Sequence, residues 1–186
     1  TLLIIESLVR QGADAVASIP NGRWEVDSTL RESVAASHGG FLARLECFDN
    51  TAFGVSGVEA AVMDPQQRLL LEHGYAALHT AGSSRSVLLG QNIGVFVGIA
   101  AADWAEVLRA SQSARSVYAA TGASHSIASG RLSYFLGIHG PCASYDTACS
   151  SALVAGHAAI TCVHQGVSDG ALLAGGLLYT SPSPRD

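Results

Sequence analysis

Apolar residues run without alternation over Gly94-Val95-Phe96-Val97-Gly98-Ile99, the pattern of a strand covered on both faces. A shorter run, Ala143 to Thr147, reads as a second strand, and Ala171-Leu172-Leu173-Ala174 as a third, buried one. Between them lie helical patterns. Asp64-Pro65 is a helix start, because Asp accepts from free N–H groups and Pro suits the first turn. That helix is expected from Pro65 to about His79, with Gly82 in its C-terminal turn. Leu69, Leu70, Leu71, Ala76, Ala77 and Leu78 give it a broad apolar surface, and Gly74 leaves room for a close neighbour. Further helices are expected over Leu2–Gln11, Asp103–Ala110, Ser124–Leu136 and Ser150 to about Gln165. The last is small or apolar on nearly every side, so it is expected to be buried. Residues 18–57 carry Gly and Pro punctuation and read as long loops with short elements. Strands alternating with helices predict an α/β fold with a largely parallel sheet.

Composition narrows the function classes. The chain has 186 residues, 48% hydrophobic and only 13% charged, with a net charge of -5 and a mean hydropathy of +0.30. A single sizeable core fits this length. The negative charge gives no support to nucleic-acid binding. No run of eighteen apolar residues marks a membrane span, and Thr1-Leu2-Leu3-Ile4-Ile5-Glu6 lacks the basic start of a signal peptide. There is no G-x-G-x-x-G, no phosphate-loop G-K-[ST] and no H-E-x-x-H, so no nucleotide or metal site is assigned. Cys47, Cys142, Cys149 and Cys162 show no zinc-type spacing, and a reduced, cytoplasmic setting is the simplest reading.

Cys149 is the candidate nucleophile. It stands between a strand-like run and a helix-like run, in Ser144-Tyr145-Asp146-Thr147-Ala148-Cys149-Ser150-Ser151. A helix N-terminus offers free N–H groups and partial positive charge, which favour thiolate and stabilise an oxyanion. Against this stands the common role of cysteine as a small buried hydrophobe. Cys142 and Cys162 are read as packing residues. His157 stands eight residues after Cys149, about 12 Å along a helix, too far for a direct Cys–His pair. A structural hydrogen-bonding role is favoured for it, and surface or packing roles for His38, His73, His79, His125, His139 and His164. Asp146 is read as a turn or capping carboxylate as readily as an orienting one. Arg131 is read as a buried ion-pair or helix-end residue.

Asp146-Thr147-Ala148-Cys149-Ser150-Ser151, followed by Leu153-Val154-Ala155, resembles the active-site segment of β-ketoacyl synthases, especially the ketosynthase domains of modular type I polyketide synthases. Other runs follow in the order that family shows: Ile19-Pro20, Arg23-Trp24, Gly39-Gly40-Phe41-Leu42, Phe48-Asp49 and Phe53-Gly54-Val55-Ser56. Met63-Asp64-Pro65-Gln66-Gln67-Arg68-Leu69-Leu70-Leu71-Glu72 comes next, then Gly94 to Gly98, Thr121-Gly122, Ser126 to Tyr134 and Gly140-Pro141. The resemblance implies a thiolase-like fold, N-terminal half only, with a mixed, mostly parallel sheet flanked by helices and the opening strand missing before Leu2. Residues 1–176 are expected to be this partial ketosynthase half, and residues 177–186 a tail of uncertain origin.

The resemblance also implies a chemistry. Cys149 takes an acyl chain as a thioester, and a malonyl-type extender on acyl carrier protein is decarboxylated and condensed with it. No cofactor is bound directly; the carrier's phosphopantetheine arm delivers acyl and malonyl thioesters. The parent enzyme is an acyltransferase of polyketide or fatty acid synthesis and a homodimer, with the 143–147 strand at the sheet edge. Two catalytic histidines belong to the family's second half, and neither His-Gly-Thr-Gly-Thr nor Asn-Ile-Gly-His occurs here, so this chain alone is expected to be inactive. Ala152 replaces the usual third serine, and Tyr145 stands where Val or Ile is common. Two other classes stay open: a different thiolase-fold acyl-cysteine enzyme, against which the Met63–Arg68 run argues, and a non-catalytic half-domain with a packing or dimerisation role.

Overall fold

The computed structural model describes residues 10–20, 38–42 and 45–177. The chain divides into two units, residues 1–44 with 182–186, and residues 45–181. In the first, β1 (Ala17–Ser18) pairs antiparallel with β2 (His38–Gly39), Ala17 opposite Gly39. All but the last two residues of the helix expected over Leu2–Gln11, and all but Leu177 of the 177–186 tail, lie outside the described residues.

In the second unit the elements run α1 (Gly57–Val62), α2 (Pro65–Thr80), α3 (Arg85–Leu88), β3 (Ile93–Ala100), α4 (Asp103–Ala110), α5 (Ala119–Ala123), α6 (His125–Leu136), β4 (Cys142–Tyr145), α7 (Ser151–His164) and β5 (Gly170–Leu177). The order of the sheet is β4-β3-β5, with both pairings parallel. Val95 lies opposite Cys142 and Leu172, and Gly98 opposite Tyr145 and Gly175.

The unbroken apolar run makes β3 the central strand, buried from Gly94 to Ala100. Its alternate side chains go to opposite faces, as a pleated strand requires. Val95, Val97 and Ile99 enter the larger core with Met63, Leu71, Leu88, Leu132, Leu136 and Leu172. Phe96 enters the smaller core with Ala155, Ala159 and Cys162 of α7. Glycines set how closely the layers meet. A Cβ on Gly98 would lie 2.5 Å from Ala152 N and from Ser151 C, and one on Gly175 would lie 2.5 Å from Ala152 Cβ. The start of α7 therefore rests on the backbone of β3 and β5. Gly74 of α2 takes the same part toward α6, where an added Cβ would come within 2.9 Å of Leu132 Cδ2.

Helix α2 starts where Asp64-Pro65 predicts: Asp64 Oδ1 accepts from Gln66 N at 2.7 Å. Its end, at Thr80, lies one residue beyond the expected limit, with Gly82 following at φ +85°. Asp64 is buried, and burial holds its carboxyl above the ordinary carboxylate range, against the Gln66 hydrogen bonds and His125, with Asp103 adding to the rise. Gln67 clamps the far loop, its Nε2 donating to the carbonyls of Thr121, Gly122 and Ser124 at 3.0 to 3.1 Å. Arg131 Nε donates to Gln67 Oε1 at 3.0 Å, and its Nη1 pairs with Glu59. Arg131 is thus the expected ion-pair residue, but in the interior of α6 rather than at a helix end.

Four expectations need correction. Helix α7 begins at Ser151 rather than Ser150 and is buried on one face only, through Ser151, Ala155, Ala159 and Cys162. Leu153 is 78% exposed and Ile160 58%, because the sheet covers one side of this uniformly apolar helix and nothing described covers the other. On β5, an edge strand among the described residues, Leu172 is buried in the larger core, while Leu173, on the face toward α7, stays half exposed. Strand β4 stops at Tyr145, since Asp146 turns away to accept from Ala148 N. Cys142, expected to pack, is exposed on that edge strand, whereas Cys162 is buried with Sγ 3.2 Å from Ser168 Oγ.

A pair of alanine substitutions tests the packing. Gly98→Ala is expected to cost about 1–3 kcal/mol, as overpacking against backbone does. Gly130→Ala, in α6 with open space around the added Cβ, is expected to stabilise by about 0.5–1 kcal/mol. Denaturant unfolding of both variants is the check.

Candidate active site

The turn that carries Cys149 is built by five hydroxyl and carboxylate contacts. Asp146 Oδ1 accepts from Ala148 N at 3.1 Å. Ser151 Oγ accepts from Thr147 N at 2.8 Å and donates to Ala148 O at 2.7 Å. Ser150 Oγ lies 2.8 Å from Thr147 O and 3.0 Å from Thr147 Oγ1. Ala148, Cys149 and Ser150 form one 3-10 turn that runs straight into α7, where Ser151 N donates back to Ala148 O. The thiol therefore sits one turn ahead of the α-helix proper, rather than in its first residues. It is exposed.

Ala148 takes φ +55°, a left-handed conformation that costs a residue with a Cβ roughly 1–2 kcal/mol. Such outliers persist where surrounding structure over-determines them. Here Asp146 and Ser151 hold the peptides on either side. Nothing in the sequence marks this position, because alanine gives no signal of positive φ. Ser151, 4% exposed, is the other residue that sequence reasoning missed. Gly98 did carry a signal, a glycine inside a strand marking close backbone approach.

The remaining candidates do not converge on Cys149. His157 is exposed on α7 and makes no hydrogen bond among the described residues, so the structural hydrogen-bonding role expected of it is not seen. His73, His79, His139 and His164 are exposed, and the His79 ring lies tilted against Tyr75, centroids 5.9 Å apart. His125 is different: its Nε2 lies 3.1 Å from Ala101 O. Asp146 serves the turn, as its capping reading anticipates. A cleft of about 680 Å³ at the end of α4 is lined by Arg109, Ala110, Ser111, Gln112 and Arg115, none of them from the Cys149 turn. Among the described residues no group of three or more His, Cys, Asp or Glu is placed to hold a metal, and no helix is long and apolar enough to cross a membrane.

Comparison with known proteins bears on this geometry. Residues 5–185 match the family described as "Beta-ketoacyl synthase, N-terminal domain". The chain is 41% identical over 182 residues to the spectinabilin polyketide synthase system protein NorC of Streptomyces orinoci, covering 94% of this chain and 8% of that protein. It is 42% identical over 181 residues to the pikromycin polyketide synthase component PikAII of Streptomyces venezuelae, covering 94% of this chain and 5% of that one. The structure is similar to the ketosynthase from module 6 of the bacillaene synthase of Bacillus subtilis 168, with a TM-score of 0.81 and 33% identity, over 96% of this chain and 29% of that one. An oxazolomycin ketosynthase domain of Streptomyces albus JA3453 gives a TM-score of 0.80 and 32% identity, over 97% and 33%. The chain thus spans less than a tenth of these curated relatives and about a third of the solved ketosynthase chains.

Ser151 supplies the test of the turn. Ser151→Ala removes the acceptor of Thr147 N and the donor to Ala148 O in a partly exposed turn, and is expected to cost about 0.5–1.5 kcal/mol per lost hydrogen bond. Ala148→Gly, which removes the Cβ from a left-handed residue, is expected to stabilise by about 1 kcal/mol. Thermal unfolding of the two variants distinguishes a held turn from a slack one.

Proposed function

The chain belongs to the β-ketoacyl synthase family, as part of a modular polyketide ketosynthase with the thiolase-like fold, and on that premise we propose that Cys149 is the residue its parent enzyme acylates. The observation that carries this is the placement of the thiol. It is exposed, one residue after a left-handed Ala148, at the carboxyl end of a parallel strand. Ligands in open α/β sheets bind at that end. A cysteine kept for packing has no reason to stand there.

The reaction runs in two halves. The Cys149 thiolate attacks the carbonyl of an acyl thioester on acyl carrier protein. The tetrahedral oxyanion collapses with loss of the phosphopantetheine thiol, leaving acyl-Cys149. A malonyl-type thioester then loses carbon dioxide, and its carbanion attacks the acyl carbonyl. The C–C bond forms as the C–S bond to Cys149 breaks, which returns the thiolate and leaves a β-ketoacyl thioester on the carrier. What this chain supplies is the nucleophile and the rigid turn that aims it. The donors that take the thioester enolate charge would be the two histidines the resemblance places in the family's second half. Neither histidine motif occurs in these 186 residues, so we assign this segment alone no condensing activity.

The uncovered faces support the same reading. The apolar outer side of α7, with Leu153 and Ile160 exposed, is what a segment of a larger domain leaves open. Among the described residues β4 is an edge strand, and its free edge suits pairing with a second copy in a homodimeric parent enzyme. The alternative of a non-catalytic packing half-domain draws on the same open faces, but it does not account for the exposed thiol.

In the intact ketosynthase domain containing this segment, Cys149→Ala is expected to abolish condensation of acyl- with malonyl-loaded carrier protein while changing stability by less than about 0.5 kcal/mol. Product analysis beside an unfolding curve is the check; retained condensation would refute the assignment.

A further inference from the structure

Among the described residues, two that are not glycine take positive φ: Ala148 at +55° and Ala101 at +70°. They stand beyond the carboxyl ends of neighbouring parallel strands. Gly98 of β3 is opposite Tyr145 of β4. The 3-10 turn that holds Ala148 and Cys149 packs against β3, the strand that Ala101 directly follows. Two strained residues at the same end of one sheet point to one shared site.

Ala148 is held by its own turn, but Ala101 is held from elsewhere. Its carbonyl accepts from Gln66 Nε2 at 3.1 Å and from His125 Nε2 at 3.1 Å. Gln66 lies in the first turn of α2 and His125 is the first residue of α6. Two helices that otherwise serve the core thus each send a side chain to one carbonyl. Against a carbonyl, His125 must present Nε2–H. Gln66 is fixed in turn by Asp64, which takes its backbone N–H at 2.7 Å and lies 3.4 Å from its Nε2. Ala101 opens the turn into α4, whose Trp104 Nε1 donates to Val62 O at 2.9 Å. That anchors the far side of the turn, so the Ala101 carbonyl is its adjustable point.

We propose that His125, with Gln66, is a positioning residue of the ketosynthase site: it locks Ala101 in the left-handed conformation and so fixes the β3–α4 turn beside Cys149. This rests on Cys149 being the acylated residue. Without the two donors Ala101 relaxes toward ordinary backbone angles, the turn shifts, and the wall beside the thiol moves with it. His125 touches neither thiol nor substrate. Its effect falls on kcat through the geometry of attack, where misplacement of about 1 Å costs on the order of 10²-fold.

The test uses the intact ketosynthase domain containing this segment, with kcat referred to the amount of Cys149 that titrates with an acyl thioester. That normalisation removes any loss of folded protein. His125→Ala is expected to lower kcat roughly ten- to a hundredfold with KM nearly unchanged. His125→Gln, which restores a donor, is expected to recover most of it. Ala101→Gly added to His125→Ala is expected to recover activity as well, because glycine holds φ near +70° without help. If His125→Ala does not fold, His125→Leu replaces it, keeping the volume and donating nothing. A wild-type kcat per titratable Cys149 in the non-donating variant, even with a lowered Tm, would overturn the positioning role. A wild-type domain that takes up no acyl group on Cys149 would overturn the functional reading itself, and the proposal with it.

Discussion

The contact between the first turn of α7 and the backbone of β3 is the constraint on which the rest depends. At Gly98 there is no room for a methyl group, and Gly175 makes the same allowance on β5. The first turn of α7 is therefore seated on the sheet by backbone contact, and Phe96 packs against Ala155 and Ala159 further along the helix. Interiors pack densely enough for a single carbon to matter. The height of α7 above β3 fixes Ser151. Ser151 then fixes Thr147 and Ala148 through its hydroxyl, and Ala148 fixes where Cys149 leaves the turn. A chain of short contacts thus runs from a missing side chain in the core to the thiol.

The opposite face of β3 secures the same strand independently. Val95, Val97 and Ile99 are sealed under α2 and α6; Gln67 ties α2 to Arg131 of α6, and Arg131 in turn pairs with Glu59 of α1. Gly122 lets α5 close on α1, since a Cβ there would meet Val62 O at 2.3 Å. Polar side chains near this junction are costly to bury. Burial pushes the Arg68 guanidinium down, against the pull of Asp64, Glu72 and Glu46. Its Cζ lies 5.9 Å from the Trp104 ring centroid, and its Nε has no partner among the described residues. The site is thus carried by a strand clamped on both sides, one face apolar and tied by a polar network, the other joining close backbone contact at Gly98 to the packing of Phe96 against α7.

Much of this was legible in the sequence where local physics decides. The Asp64-Pro65 start of α2, the unbroken run of β3, the limits of α4 and the strand-to-helix change around Cys149 all follow from capping, periodicity and length. What escaped was set by tertiary contact. The apolar surface of α7 announces burial but not which faces this segment covers, so Leu153 and Ile160 were misread. Cys142 has the composition of a packing residue, and only its edge strand exposes it. Ala148 and Ala101 give no sign of their left-handed backbone, because the residues that hold them lie far along the chain or act through hydroxyls common to any turn. The resemblance to ketosynthases points to Cys149 as the proposed nucleophile; the structure adds the means by which its turn is held.

Three of the four cysteines, Cys47, Cys142 and Cys149, are exposed, and Cys149 alone stands on the strained turn. Peptide mass spectrometry after loading the intact ketosynthase domain with an acyl thioester tests the central claim most directly. The account predicts one acyl group per domain, on the peptide containing Cys149, with Cys142 and Cys47 free. An acyl group distributed over the exposed thiols, or placed on Cys142, would contradict it.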